Sequence, residues 1–144
     1  MELTGIKSLV HSDRKLNTDF RPGNGPTLYC LGDLDCDTGL LGRNGILLAR
    51  RTEDSIQIKV TLRPVSQETA LYPLDMSLAI PSASGGTMET IRVVAEGEQE
   101  FSIDLPSDVR VGEVFELELR ADAVTMAPDV FSLRSVYLTK MVQR

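Results

Sequence analysis

The chain has 144 residues, with 15 Lys and Arg against 21 Asp and Glu, and so carries a formal net charge of −6. A chain of this length buries roughly 68–70% of its unfolded surface, so it can build a core without metal or disulfide, and one domain over residues 1–144 is expected. A hydrophobic content of 42% excludes a disordered chain, and the acidic balance, with no basic cluster beyond Arg50 and Arg51, excludes nucleic acid and anionic membrane as partners.

At the start, "MELTGIKSLVHS" contains no long apolar segment, so neither an export signal nor a membrane span is expected. "GIKSLVH" reads as a short strand, and "SDRKLNTDF" as no more than one helical turn after an N-cap at Ser12. "RPGNGP" marks a turn, followed by the short apolar runs "PTLYCL" and "NGILLAR", with "GRNG" as a turn signal between them. "SIQIKVTLR" then alternates strictly, with Ile56, Ile58, Val60 and Leu62 on one side and Gln57, Lys59, Thr61 and Arg63 on the other. That is the period of a strand with one buried and one wet face. "DMSLAIP" supplies Met76, Leu78 and Ile80, and "TIRVVAE" offers Ile91 and Val93. "EFSIDLP" and "EVFELELRA" repeat the pattern with Phe101, Ile103, Leu105, Phe115, Leu117 and Leu119. In "FSLRSVYLTKM" the alternation runs from Phe131 to Leu133 and shifts phase at Val136 and Leu138, which predicts a bulge.

The signals "PSASGG", "EGE" and "LPSDVRVGE" separate these runs, and no segment of ten or more residues has a helical period. The prediction is an all-β fold: a single antiparallel β-sandwich, jelly-roll-like, with 8–9 strands and little or no helix; an open barrel is the alternative.

The run with most chemistry is "CLGDLDCDTG", Cys30 to Gly39. Asp33, Asp35 and Asp37 match the first three ligand positions of a DxDxDG calcium loop, where alternating carboxylates converge on one cation. Thr38 stands where that loop needs glycine, and Asn44 where it needs a bidentate glutamate. The favoured reading is a solvated acidic strand edge, with no metal site. Cys30 and Cys36 are close enough in sequence to bridge across a tight hairpin, but so short a loop gains little from closure. Free thiols are therefore expected. Two cysteines and one histidine cannot furnish a structural zinc site.

His11, the single histidine, lies in "HSDR", and no G-x-S-x-G turn accompanies it. No triad, phosphate loop or cofactor site can be assembled from this inventory, so neither an enzyme nor a cofactor is expected. Sugar binding calls for exposed ring platforms, and the chain has no Trp, three Tyr and four Phe. Under a carbohydrate-binding alternative, Tyr72 and Tyr137 are the candidate contacts, with Tyr29, Phe20 and Phe131 as further rings in less regular context.

From Gly42-Arg43-Asn44-Gly45-Ile46 to Asp129, Arg134, Val136 and Leu138, the order of features resembles the jelly-roll accessory domains found beside bacterial glycosyltransferases. The likeness rests mostly on strand pattern; the tryptophan of their first segment and the Leu-Gly after the arginine are missing here. It implies the jelly-roll fold more than a sugar specificity. A small, acidic, strand-rich chain without an evident site also resembles the decoration or cement proteins of tailed-phage particles. That resemblance implies a structural protein in a virion, with the cytoplasm as the other setting. It also implies protein partners and homo-oligomers, and the ends of the chain, including "MVQR", are expected to be ordered and pinned by neighbours.

Overall fold

The computed structural model describes residues 27–65, 72–121 and 136–144. Among them are eight strands and no helix: β1 (Thr27–Leu34), β2 (Leu40–Arg50), β3 (Gln57–Pro64), β4 (Leu74–Ile80), β5 (Thr87–Val93), β6 (Gln99–Asp104), β7 (Val114–Ala121) and β8 (Val136–Gln143). Every strand pairing is antiparallel. The all-β class expected from the alternation is the class observed. Neither "GIKSLVH" nor "SDRKLNTDF" falls within the described residues. No helix among the described residues is long and apolar enough to cross a membrane.

The ladder runs β5-β4-β7-β2-β8-β3-β6, with β1 on the other edge of β2. Its two end strands, β5 and β6, follow each other in the chain and lie side by side, which leaves the sheet nearly closed. Closure covers sheet edges that would otherwise invite pairing with other chains. Strand β2 is the pivot. Its stretch from Asn44 to Arg50 pairs with β7, whereas Leu40 and Leu41 pair with β8, and β1 runs along the opposite edge.

The alternating positions fill one core. Ile58, Val60, Leu62, Met76, Leu78, Ile80, Ile91, Val93, Ile103, Leu105, Phe115, Leu117 and Leu119 are all buried, and Phe101 is half-buried against them. Ile56 departs from the expected pattern: it is 70% exposed. The reason is position. Strand β3 starts at Gln57, and Ile56 precedes it, its N–H bonded to the carbonyl of Arg144 beyond the end of the core. At the C-terminus, Arg144 also exchanges backbone hydrogen bonds with Gln57 at 2.8 Å each way. Residues 1–26 lie outside the described residues.

One further expectation is corrected. "GRNG" is not a turn but the middle of β2. Gly45 serves space there, because a side chain at that position would run into the side chains of Leu41 in β2 itself and Leu34 in β1. The phase shift expected between Leu133 and Val136 lies outside the described residues, and a shift of the same kind is found further along β8. Val136 and Leu138 point inward, and so do Met141 and Gln143, so the step lies at Thr139 and Lys140. Opposite it, β3 advances one residue, from Thr61 to Leu62, while β8 advances two. This is a bulge, and the Thr139 hydroxyl donates to the Thr61 carbonyl at 3.2 Å.

Candidate functional site

The acidic run forms the tight connection from β1 to β2. Gly39 N–H donates to the Asp35 carbonyl at 2.7 Å, and Asp35 N–H to the Leu40 carbonyl at 3.0 Å. The carboxylates attend to nearby backbone: Asp35 Oδ1 accepts from Asp37 N–H at 2.8 Å, and Asp33 Oδ2 from Asn44 N–H at 3.1 Å. Gly32 takes a left-handed conformation (φ 65°) where the ladder shifts register between Gly32 and Leu34. That step sets Asp33 beside β2 and apart from the turn carrying Asp35 and Asp37. Among the described residues, no group of three His, Cys, Asp or Glu side chains converges where a metal ion could be held.

The cysteines correct the expectation of free thiols. Cys30 and Cys36 form a disulfide. The turn folds Cys36 back over β1 until the two Cα atoms are 5.6 Å apart, within the span a disulfide requires. Loop length governs only what closure gains, whereas the turn itself brings the two cysteines within bonding reach.

The rings proposed as sugar contacts are not presented as platforms. Tyr72, joined to Pro73 by a cis peptide bond, is only 7% exposed and belongs to the core. Tyr137 is half-buried on β8, and the Arg63 guanidinium lies over its ring, 4.4 Å from the centroid. His11, Phe20, Asp129, Phe131 and Arg134 lie outside the described residues. Of the positions carrying the glycosyltransferase-domain resemblance, Gly42 to Ile46 lie in β2, and Val136 and Leu138 are buried in β8.

A second polar cluster joins the β4–β5 and β6–β7 connections. Ser84 donates to Asp108 from its N–H at 3.1 Å and from its hydroxyl at 2.9 Å, and the Ser82 and Ser84 hydroxyls are 3.2 Å apart. Hydrogen bonds from Ser82 and Ser84 hold the Asp108 carboxyl below its ordinary range. Hydroxyls around an ionised carboxylate make a clamp between loops. A nucleophile would need a general base and an oxyanion site as well.

The most distinctive surface was not singled out from the sequence. On the outer face of the sheet, Tyr29 is 63% and Leu31 44% exposed. The ladder sets Tyr29 against Leu48 and Leu31 against Ile46, both half-buried. On the next strand Glu116 pairs with Leu48 and Glu118 with Ile46. Between Asn44 and Arg50 the wet face of β1 and β2 is therefore apolar, flanked by Asp33 at the end of β1 and by Glu116 and Glu118 on β7. The sequence did carry a signal. "LYCL" and "ILLA" are continuous apolar runs rather than alternating ones, which is the mark of strands apolar on both faces. Comparison of the chain with protein-family models, with curated proteins and with solved structures finds no match.

Proposed function

We propose that this protein is a non-catalytic structural subunit that docks on a larger assembly, a tailed-phage particle decorated by small β-proteins being the setting we favour. One observation carries the reading: a contiguous apolar patch of Tyr29, Leu31, Ile46 and Leu48 at a sheet edge where, among the described residues, β1 has β2 as its single neighbour. Apolar patches framed by polar residues mark interaction surfaces. Sugar recognition calls instead for exposed rings with convergent polar groups. Of the two rings proposed for that role, Tyr72 is in the core and Tyr137 lies beneath Arg63.

The test combines a glycan array, a panel of ester, glycoside and phosphoester substrates, and density-gradient sedimentation of the labelled full chain with tailed-phage particles. Silence on the array and panel, together with comigration on particles, is the expected result. Binding to one glycan class that is lost in Tyr137→Ala, or turnover on any substrate, would overturn the proposal.

A further inference from the structure

An antiparallel sheet edge offers a partner two things: a row of backbone N–H and C=O groups, and the side chains of whichever face lies beside it. Strand β1 offers both. It pairs with β2 over Thr27 to Leu34 and with no other strand among the described residues. The face beside it is the apolar patch of Tyr29 and Leu31, backed by Ile46 and Leu48. Natural edges are usually blunted by lysine, by proline or by charges pointing inward. In "TLYCLGDL" the only charged side chain is Asp33, at the far end beyond the Gly32 register shift.

We infer that this edge receives a second copy of the same chain, β1 against β1 in antiparallel pairing about a two-fold axis. This rests on the docking function proposed above and names its partner. A two-fold centred between Tyr29 and Leu31 sets each tyrosine of one copy beside the leucine of the other. The two patches then become one apolar band, with Leu48 and Ile46 of each copy on its flanks. Such an isologous contact is self-complementary by symmetry.

Charge decides between a second copy and other occupants. A chain of net charge −6 repels its own kind unless the contact keeps the carboxylates apart. Here, apart from Asp33 at the end of β1, the nearest acids on the outer face are Glu116 and Glu118 on β7, two strands in from the edge. Across the paired edge they face their equivalents over five strand spacings of about 4.8 Å, roughly 24 Å in all. The screening length at physiological salt is about 8 Å, so the repulsion is largely lost. The two Asp33 side chains sit at opposite ends of the paired strands. A basic partner would find no acids in the patch itself, and an acidic partner would find no cations there. Among the described residues the patch offers apolar surface and backbone that no other strand pairs, which its own copy matches.

Area sets the strength. One strand edge with two exposed large side chains falls short of the roughly 1,000 Å² that a stable standalone interface buries. The contact is therefore weak in dilute solution and becomes firm where many copies are held side by side on a larger surface, since tethering raises the effective concentration. The Cys30–Cys36 disulfide holds the adjoining turn against β1, which lowers the ordering cost of docking.

Sedimentation velocity over a concentration series tests this on the full chain, as wild type, Leu31→Lys, Tyr29→Lys and Met88→Lys. Met88, 68% exposed, lies on the same face in β5, at the opposite end of the strand row from Leu31, and serves as the control. Wild type should show a concentration-dependent monomer–dimer equilibrium. Each β1 variant should weaken it at least about tenfold, a 1.4 kcal/mol difference, with an unchanged thermal transition, and Met88→Lys should leave it intact. Hydrogen exchange at β1 amides should slow as concentration rises. A wild type that stays monomeric while still comigrating with particles would overturn the inference and leave the docking reading standing. Equal loss in Met88→Lys, or β1 amides already fully protected in the dilute monomer, would overturn it as well. Glycan binding lost on Tyr29→Lys would defeat both.

Discussion

Gln143, almost at the end of the chain, donates from Nε2 to the backbone carbonyl of Arg50 at 2.8 Å, across 93 positions of sequence. Its Oε1 accepts from Thr52 N–H at 2.8 Å, from the Thr52 hydroxyl at 3.1 Å and from the Ser55 hydroxyl at 3.2 Å. Both Gln143 and Ser55 are buried. One amide thus closes β8 onto the β2–β3 connection. Replacing Gln143 by Leu leaves the Arg50 carbonyl and the Thr52 N–H without their partner, and each unsatisfied buried group costs about 1–3 kcal/mol. Urea unfolding should show a loss of about 2–4 kcal/mol for Gln143→Leu; a change near zero would mean that water replaces the amide.

The core and the flank of β3 should respond in opposite ways. Leu117 is fully buried, and Leu117→Ala is expected to cost about 2–5 kcal/mol. Ile56→Ala, although it removes an equally apolar residue, should stay within about 0.5 kcal/mol because the side chain is already in water. Chemical denaturation of the two variants side by side measures the contrast, and comparable losses would contradict the burial described above.

How far these positions could be read from sequence follows from where alternation holds. It held along β3, β4, β6 and β7, where one face is wet and the period of two is unbroken, so Leu117 and its neighbours were legible. It failed at Ile56, because periodicity does not say where a strand begins. It failed again at Gly45, where glycine serves close packing rather than a turn. The apolar patch was overlooked for a different reason: a strand that is apolar on its outer face as well loses the alternation by which strands are recognised. The disulfide depended on the path of a five-residue turn, which no pairwise spacing encodes.

Reduction of the Cys30–Cys36 bridge should destabilise the protein without unfolding it. For so short a loop the chain-entropy relation gives about 2 kcal/mol. Equilibrium unfolding with and without a thiol reductant, together with intact mass under both conditions, checks this. An unchanged midpoint after verified reduction would show that the turn holds its shape through its backbone hydrogen bonds alone.

Acid should act through Asp108. Its pKa is lowered in the folded state by the hydroxyls of Ser82 and Ser84. The stability it adds is therefore full above the unfolded carboxyl value and is lost as pH falls through the lower folded value. Asp108→Asn should be less stable than wild type near neutrality, and the gap should close below about pH 4. Thermal melts across that range give the comparison, and a gap independent of pH would assign the effect to geometry rather than to charge.

The strand order also dictates a timetable for folding. Strand β8 emerges after the other seven, yet it sits in the ladder between β2 and β3. At about 5–20 residues per second, translation from Pro64 to Val136 takes several seconds, whereas hairpins form in about 1–10 μs. During that interval the nascent chain can complete the β1–β2, β4–β5 and β3–β6 pairings, but one edge of β3 has nothing to bond. Newly made chains therefore carry a transiently unpaired strand edge, with Ile58, Val60 and Leu62 along it. Crowded polysomes, where these edges are close together, are where misassembly of this protein should begin.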